Sequence, residues 1–262
     1  MRKELSPIDK AKRAAAHRAV DFVKDGMKIG LGTGSTAAFM LDRLAERIRA
    51  EGLRVTGVST SSRTAEQARA LGIPLTTLEE VRRLDLTIDG ADEVDADLRL
   101  IKGGGGALLL EKIVATASDQ MIVIADAAKI VATLGAFPLP VEVVPFGWQT
   151  SQSLINELLT GLDVMGHDVA LRMAGDVPFI TDQQNYILDL HLKRIGNPGQ
   201  LAMVLNQIPG VVENGLFIDI CDILIVGHGD GRVTVRDINS ATEEESTVDL
   251  AAMDNIFSEV MD

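Results

Sequence analysis

The sequence predicts an α/β protein: a parallel sheet with helices on both faces, joined to a smaller α+β unit. Three observations carry this. Apolar runs of strand length alternate with helical segments from Lys28 to Ala125, the signature of repeated βαβ units. Glycine-rich or acidic turns follow several of those runs, where parallel sheets bind ligands. Beyond Gly135 the pattern changes, with Pro138, Pro140 and Pro145 punctuating an extended stretch and shorter runs after it.

Taken in order, Ser6-Pro7-Ile8-Asp9 reads as a helix start: a capping hydroxyl, a proline at the first helical position and an acid near the positive helix end. Apolar positions at Ile8, Ala11, Ala15, Ala19, Phe22 and Val23 keep helical spacing up to Gly26. Lys28 to Leu31 is a short buried strand. A Gly/Ser/Thr turn leads into a helix with Ala37, Met40, Leu41, Leu44 and Ile48 on one face. Strands at 55–58, 84–88 and 121–125 alternate with helices at 62–71 and roughly 107–118. In the second unit, 169–173, 179–181 and 186–192 resemble antiparallel strands, with helices around 150–160 and 198–207. Buried-strand composition returns at 216–220 and 222–226, and Gly227 to Gly231 can turn a hairpin into 232–235. The acidic tail from Ala241 reads equally as a docked helix or a loose extension.

Composition narrows the function classes. Hydrophobic residues make up 46% of the 262, but aromatics only 3%, so the core is aliphatic. The net charge of −13 opposes nucleic acid and anionic lipid. Any phosphate site must therefore be a local gathering of backbone N–H groups and a few cations. Cys221 is the single cysteine, so no intrachain disulfide is expected. No apolar run spans a bilayer and the first twelve residues lack a signal segment; a soluble cytoplasmic protein is the expectation.

Three segments carry the chemistry. Gly30-Leu31-Gly32-Thr33-Gly34-Ser35-Thr36 lies at a strand-to-helix junction. Its glycines allow close backbone approach, and the helix N-terminus presents N–H groups to an anion. It lacks the lysine of a Walker loop and the third glycine of a dinucleotide fingerprint. Thr87 to Asp95 runs from a buried strand straight into carboxylates; Asp89 and Asp92 emerge first and are the functional candidates, whereas Asp95 and Asp97 read as an acidic turn. Lys102-Gly103-Gly104-Gly105-Gly106 precedes a helix bearing Glu111. A cation beside free N–H groups suits an oxyanion. The helical neighbours of Glu111 are Ala107, Leu108, Val114 and Ala115, all apolar. A carboxylate on that stripe is partly buried, which raises its pKa and improves it as a base. Lys112 reads as a surface residue, as does Lys129 taken alone, although its place past a strand end suits a phosphate. The four histidines show no metal-ligand spacing, and Cys221 reads as a packed thiol.

"GLGTGSTA" at 30–37, "TIDGADEVD" at 87–95, "KGGGGALLLEKIVA" at 102–115, "ADAAK" at 125–129, "FPLPVEVVPF" at 137–146 and "IPGVVENGLF" at 208–217, in that order, resemble type A ribose-5-phosphate isomerases over about residues 10–235. The resemblance implies a Rossmann-like domain (1–134 and 209–262) with an inserted ferredoxin-like α+β domain (135–208). It implies interconversion of D-ribose 5-phosphate and D-ribulose 5-phosphate in the non-oxidative pentose phosphate pathway, without metal or other cofactor, by a homodimer or homotetramer. By motif position Glu111 is the proton acceptor, with Asp89, Asp92 and Lys102 as further catalytic candidates. Thr33, Gly34, Ser35, Thr36, Asp89, Gly90, Ala91, Asp92, Lys102, Gly103, Gly104, Gly105 and Lys129 match the substrate-binding segments. The chain departs from the pattern in the apolar residues just before Glu111, in Gly147-Trp148 and in its longer tail. Sugar-phosphate deaminases, CoA transferases and effector-sensing regulator domains share the fold class. The regulator alternative lacks room for a DNA-binding unit in residues 1–25 and leaves Glu111 without a task.

Overall fold

The computed structural model describes residues 5–240 and 242–249. Helix α1 (Pro7–Val20) begins as the sequence predicts: the Ser6 hydroxyl accepts the Asp9 N–H at 3.1 Å, with Pro7 in the first turn. Then come β1 (Lys28–Leu31), α2 (Ser35–Glu51), β2 (Thr56–Ser59), α3 (Ser62–Ala70), the single turn α4 (Leu78–Val81) and β3 (Leu86–Gly90). Next are β4 (Glu93–Val94), β5 (Leu100–Ile101), α5 (Leu108–Thr116) and β6 (Met121–Asp126). The second part holds β7 (Leu139–Val143), α6 (Trp148–Leu159), β8 (Asp168–Leu171), β9 (Met173–Ala174), β10 (Val177–Pro178), β11 (Tyr186–His191), α7 (Pro198–Leu205) and β12 (Val211–Asn214). The chain continues through β13 (Leu216–Phe217), β14 (Ile223–Gly227), β15 (Arg232–Asp237) and β16 (Thr242–Thr247).

The main sheet has the order β16-β15-β14-β6-β3-β1-β2. From β14 to β2 all neighbours are parallel, while β15 and β16 add antiparallel edge strands. Burial on both faces explains the unbroken apolar runs. In β6, Ile122 and Ile124 join the core beneath α1 and α2, whereas Met121, Val123 and Ala125 join the opposite core with Ala115 and Phe217. A second, antiparallel sheet has the order β12-β7-β11-β8 and packs its apolar face on α6 and α7 through Ile155, Leu159, Leu201 and Leu205.

Four local expectations change. The tail is neither a helix nor loose at 242–247, because β16 pairs along the whole of β15; residues beyond 249 lie outside the described residues. Phe179–Thr181 is not a strand: the short β9–β10 hairpin takes that place. Strand composition at 216–220 yields only β13, which pairs with β5 in a small three-stranded sheet. Strand β12, unpredicted, completes the second sheet beside β7, with a register shift between Val211 and Glu213.

Candidate active site

The three predicted segments meet at the carboxyl ends of β1 and β3. The turn after β1 ends at Gly34, whose φ of 119° starts α2 without a side-chain cap, leaving its first-turn N–H groups open to an anion. Gly32 is required by contact: a Cβ there would lie 2.2 Å from Asp89 Oδ1. Gly32→Ala, whose Cβ would also lie 2.5 Å from the Asp89 Cα, is therefore expected to displace Asp89, cost about 1–3 kcal/mol of stability and cut turnover by about tenfold or more; matched steady-state rates and melting curves check this. Thr33 lines the cleft but turns its hydroxyl into a cluster with Thr60 at 2.7 Å and Ser61 at 2.8 Å.

Asp89, wholly buried at the end of β3, accepts the Thr33 N–H at 2.9 Å and the Gly90 N–H at 2.7 Å on Oδ1. Its Oδ2 faces the Lys102 ammonium at 2.9 Å. Lys102 Nζ also donates to the Gly90 carbonyl at 2.5 Å and stands 3.4 Å from Glu111 Oε1. Lys102 is 2% exposed and Glu111 4%. The apolar stripe of α5 thus buries Glu111, as its helical neighbours imply. Glu111 Oε2 has no hydrogen-bond partner among the described residues.

The electrostatics follow from this packing. Burial pushes the Glu111 carboxyl up to about 8; Lys102 opposes the rise, and Asp89 and Asp92 add to it. For Lys102 burial acts downward, but Asp89, Glu111 and Asp92 outweigh it and hold the ammonium above its ordinary value. The site therefore pairs a carboxyl that titrates near neutrality with a lysine held in its charged form.

A cleft of about 550 Å³ opens over this group, lined by Lys12, Thr33 to Thr36, Gly90 to Asp92, Lys102 to Gly105, Glu111 and Lys129. Gly103 has a φ of 101°, a conformation open to glycine at no steric cost. Asp92 accepts the Gly104 N–H at 2.8 Å, which ties the acidic turn to the glycine loop. Lys129, just past β6, also lines the cleft, its ammonium 5.9 Å from the Phe137 ring centre. Of the predicted site residues only Asp89 is absent from the lining; it stands behind Lys102.

Two residues that sequence reasoning missed matter here. Lys12 donates to the Ser35 hydroxyl at 3.0 Å and brings a third lysine to the cleft. Its only sequence signal was an interrupted apolar face on α1; the packing of α1 on α2 supplies the rest. Glu93, 4% exposed, accepts the Gly135 N–H at 2.7 Å and the Phe137 N–H at 2.5 Å, fixing the segment that leads into β7. Lys112 is not a free surface residue: it donates to Glu213 at 2.9 Å and to the Asn214 carbonyl at 2.6 Å, binding α5 to β12. Asp95 is buried, and its carboxylate closes the expected turn by accepting the Asp97 and Arg99 N–H groups, each at 3.0 Å. No cluster of three or more metal-ligating side chains occurs among the described residues, and no described helix is long and apolar enough to cross a membrane.

The family model described as ribose 5-phosphate isomerase A (phosphoriboisomerase A) matches residues 56–231. A ribose-5-phosphate isomerase A of Cereibacter sphaeroides is 69% identical over 259 residues, covering 99% of each chain. One from a Ruegeria species is 66% identical with the same coverage. Among solved structures, a D-ribose-5-phosphate isomerase in complex with phospho-erythronic acid superposes with a TM-score of 0.82 at 40% identity, covering 88% of this chain and all of that one. The ribose 5-phosphate isomerase of Plasmodium falciparum gives 0.81 at 34%, covering 92% and 99%. With a buried carboxylate–lysine pair at its centre and relatives of this identity over nearly its whole length, the chain belongs to the ribose 5-phosphate isomerase A family.

Proposed function

We propose that this isomerase interconverts D-ribose 5-phosphate and D-ribulose 5-phosphate through an enediolate, with Glu111 moving the proton between C2 and C1. The single observation that carries the assignment is the buried Glu111 carboxylate, one oxygen 3.4 Å from Lys102 and the other unengaged by the described residues. In the aldose-to-ketose direction Glu111 takes the C2 proton, the electron pair forms the C1–C2 double bond, and negative charge moves to the carbonyl oxygen. Lys102 and N–H groups of the glycine loop stabilise that oxygen. After a proton passes between O1 and O2, Glu111 returns its proton to C1. A single base suffices because both carbons of a cis-enediol present one face to it.

As a further catalytic candidate, Asp89 could help pass the proton between O1 and O2. Its burial behind Lys102 supports a different part, holding the lysine and the turn, and leaves Asp92, on the lining, to assist ring opening. The phosphate fits the α2 N-terminus with the hydroxyls of Ser35 and Thr36 and the ammonium groups of Lys12 and Lys129, two cations that locally offset the chain's negative field. A phosphorylated sugar acid bound by a solved relative supports an anion at each end of the ligand. The same proposal takes residues 135–208 as an inserted unit, with β12 just past its boundary, places the enzyme in the cytoplasm, and makes it a homo-oligomer; Phe146, 95% exposed, offers apolar surface for that contact.

The test is ketose formation from ribose 5-phosphate by purified protein in excess EDTA. Full activity is expected. Activity lost to the chelator and restored by a divalent ion sinks the metal-free mechanism.

A further inference from the structure

We propose that Arg172, outside the cleft lining and carried by the second sheet, is a positioning residue for isomerisation: it sets the peptide planes of the glycine loop so that the Gly105 N–H faces the substrate. This rests on the enediolate mechanism above. Arg172 lies between β8 and β9, with its side chain only 15% exposed. Its guanidinium is locked by Asp189 on β11, with Nε at 2.8 Å from Oδ2 and the second contact at 2.5 Å to Oδ1. The remaining nitrogen donates to two successive loop carbonyls, Gly103 at 2.9 Å and Gly104 at 3.2 Å.

Peptide planarity turns that grip into a directional device. The carbonyl of one residue and the N–H of the next lie on opposite edges of a trans peptide plane. Holding the Gly103 and Gly104 oxygens toward Arg172 therefore sends the Gly104 and Gly105 N–H groups away from it. The first of these reaches Asp92 at 2.8 Å, on the cleft side. The second belongs to a lining residue. Glycines have no Cβ to oppose a plane flip, and a flipped plane would aim a carbonyl at the developing oxyanion. The stretch that follows Arg172 is anchored in turn, where Asp182 accepts the Ser62 N–H at 2.7 Å and the Ser62 hydroxyl at 3.0 Å. The second sheet thus braces the catalytic loop from behind without entering the cleft.

The experiment compares Arg172→Ala and Arg172→Lys with the parent and with Glu111→Gln. A lysine can keep the charge pair with Asp189 or reach a glycine carbonyl, but cannot fork between them. Both Arg172 variants are expected to lose about 10–100-fold in kcat, with KM for ribose 5-phosphate within about threefold. Inhibition by phospho-erythronic acid should weaken in step with kcat, while inhibition by inorganic phosphate stays put. Millimolar guanidinium should restore part of the kcat of Arg172→Ala and leave the parent unchanged. Unchanged kcat in both variants overturns the proposal, as does a loss that tracks a lowered melting temperature with no guanidinium rescue. If Glu111→Gln retains activity, the base assignment fails instead, and the Arg172 results still report on the loop.

Discussion

Glu111→Gln is expected to lower kcat by about 10²–10⁴ while leaving the fold intact, because it deletes the proposed general base and almost no volume. It should also stabilise the protein at alkaline pH, and the sign follows from linkage. The folded carboxyl titrates near 8, above its ordinary 4.5. Between those values the unfolded chain ionises and the folded one resists, so wild-type stability falls by about 1.4 kcal/mol per pH unit at this site. Above about 8 the loss levels off. Glutamine carries no such penalty, so the variant's melting temperature should match wild type near pH 4.5 and exceed it increasingly up to pH 8. In wild type, kcat/KM should rise with pH and level off near 8, as the carboxylate forms; the variant should lack that limb. Near wild-type turnover in Glu111→Gln would refute the base assignment, and the absence of an alkaline gain in its stability would refute the burial argument.

Lys102→Met should damage stability as well as turnover. It removes the stabilising charge from the oxyanion, at about 10²–10³ in kcat, and leaves Asp89 wholly buried without its ammonium. Breaking one partner of a buried pair costs about 3–5 kcal/mol. The folded lysine titrates above its ordinary value, so its contribution is complete below about 10.5 and is lost only as pH rises through the higher folded value. The destabilisation should therefore be undiminished across neutral pH. Without Lys102 the Glu111 carboxyl loses the one neighbour that favours its charge, and the activity limb should move to higher pH. Thermal melts and pH–rate profiles read both effects. Unaltered stability would mean that the pair is not buried in solution.

Much of this site was legible in the chain, for local reasons. Glu111 is flanked at helical spacing by apolar residues, and helical spacing alone decides which face is buried. The glycines before α2 and the carboxylates ending β3 follow from where parallel strands end. The roles of Asp89 and Asp92 were not separable in the same way. Both leave one strand, and only the cross-sheet approach of Gly32 and Lys102 shows that Asp89 turns inward and Asp92 lines the cleft. The contacts of Lys12, Lys112 and Arg172 were not legible in the chain, because each meets a partner 17 to 102 residues away in sequence. The edge strand β16 was missed for a related reason: its burial pattern is wholly exposed, so no hydrophobic period marks it, and backbone pairing to β15 alone makes it a strand.

The amino-acid order by itself determined the βα alternation, the glycine turns and the buried position of Glu111, since all three depend on spacings of a few residues. Tertiary packing decided which carboxylate pairs with Lys102, which cations line the cleft and which side chain contacts the glycine-loop carbonyls. Those outcomes depend on distances between segments far apart in the chain, which no local period encodes.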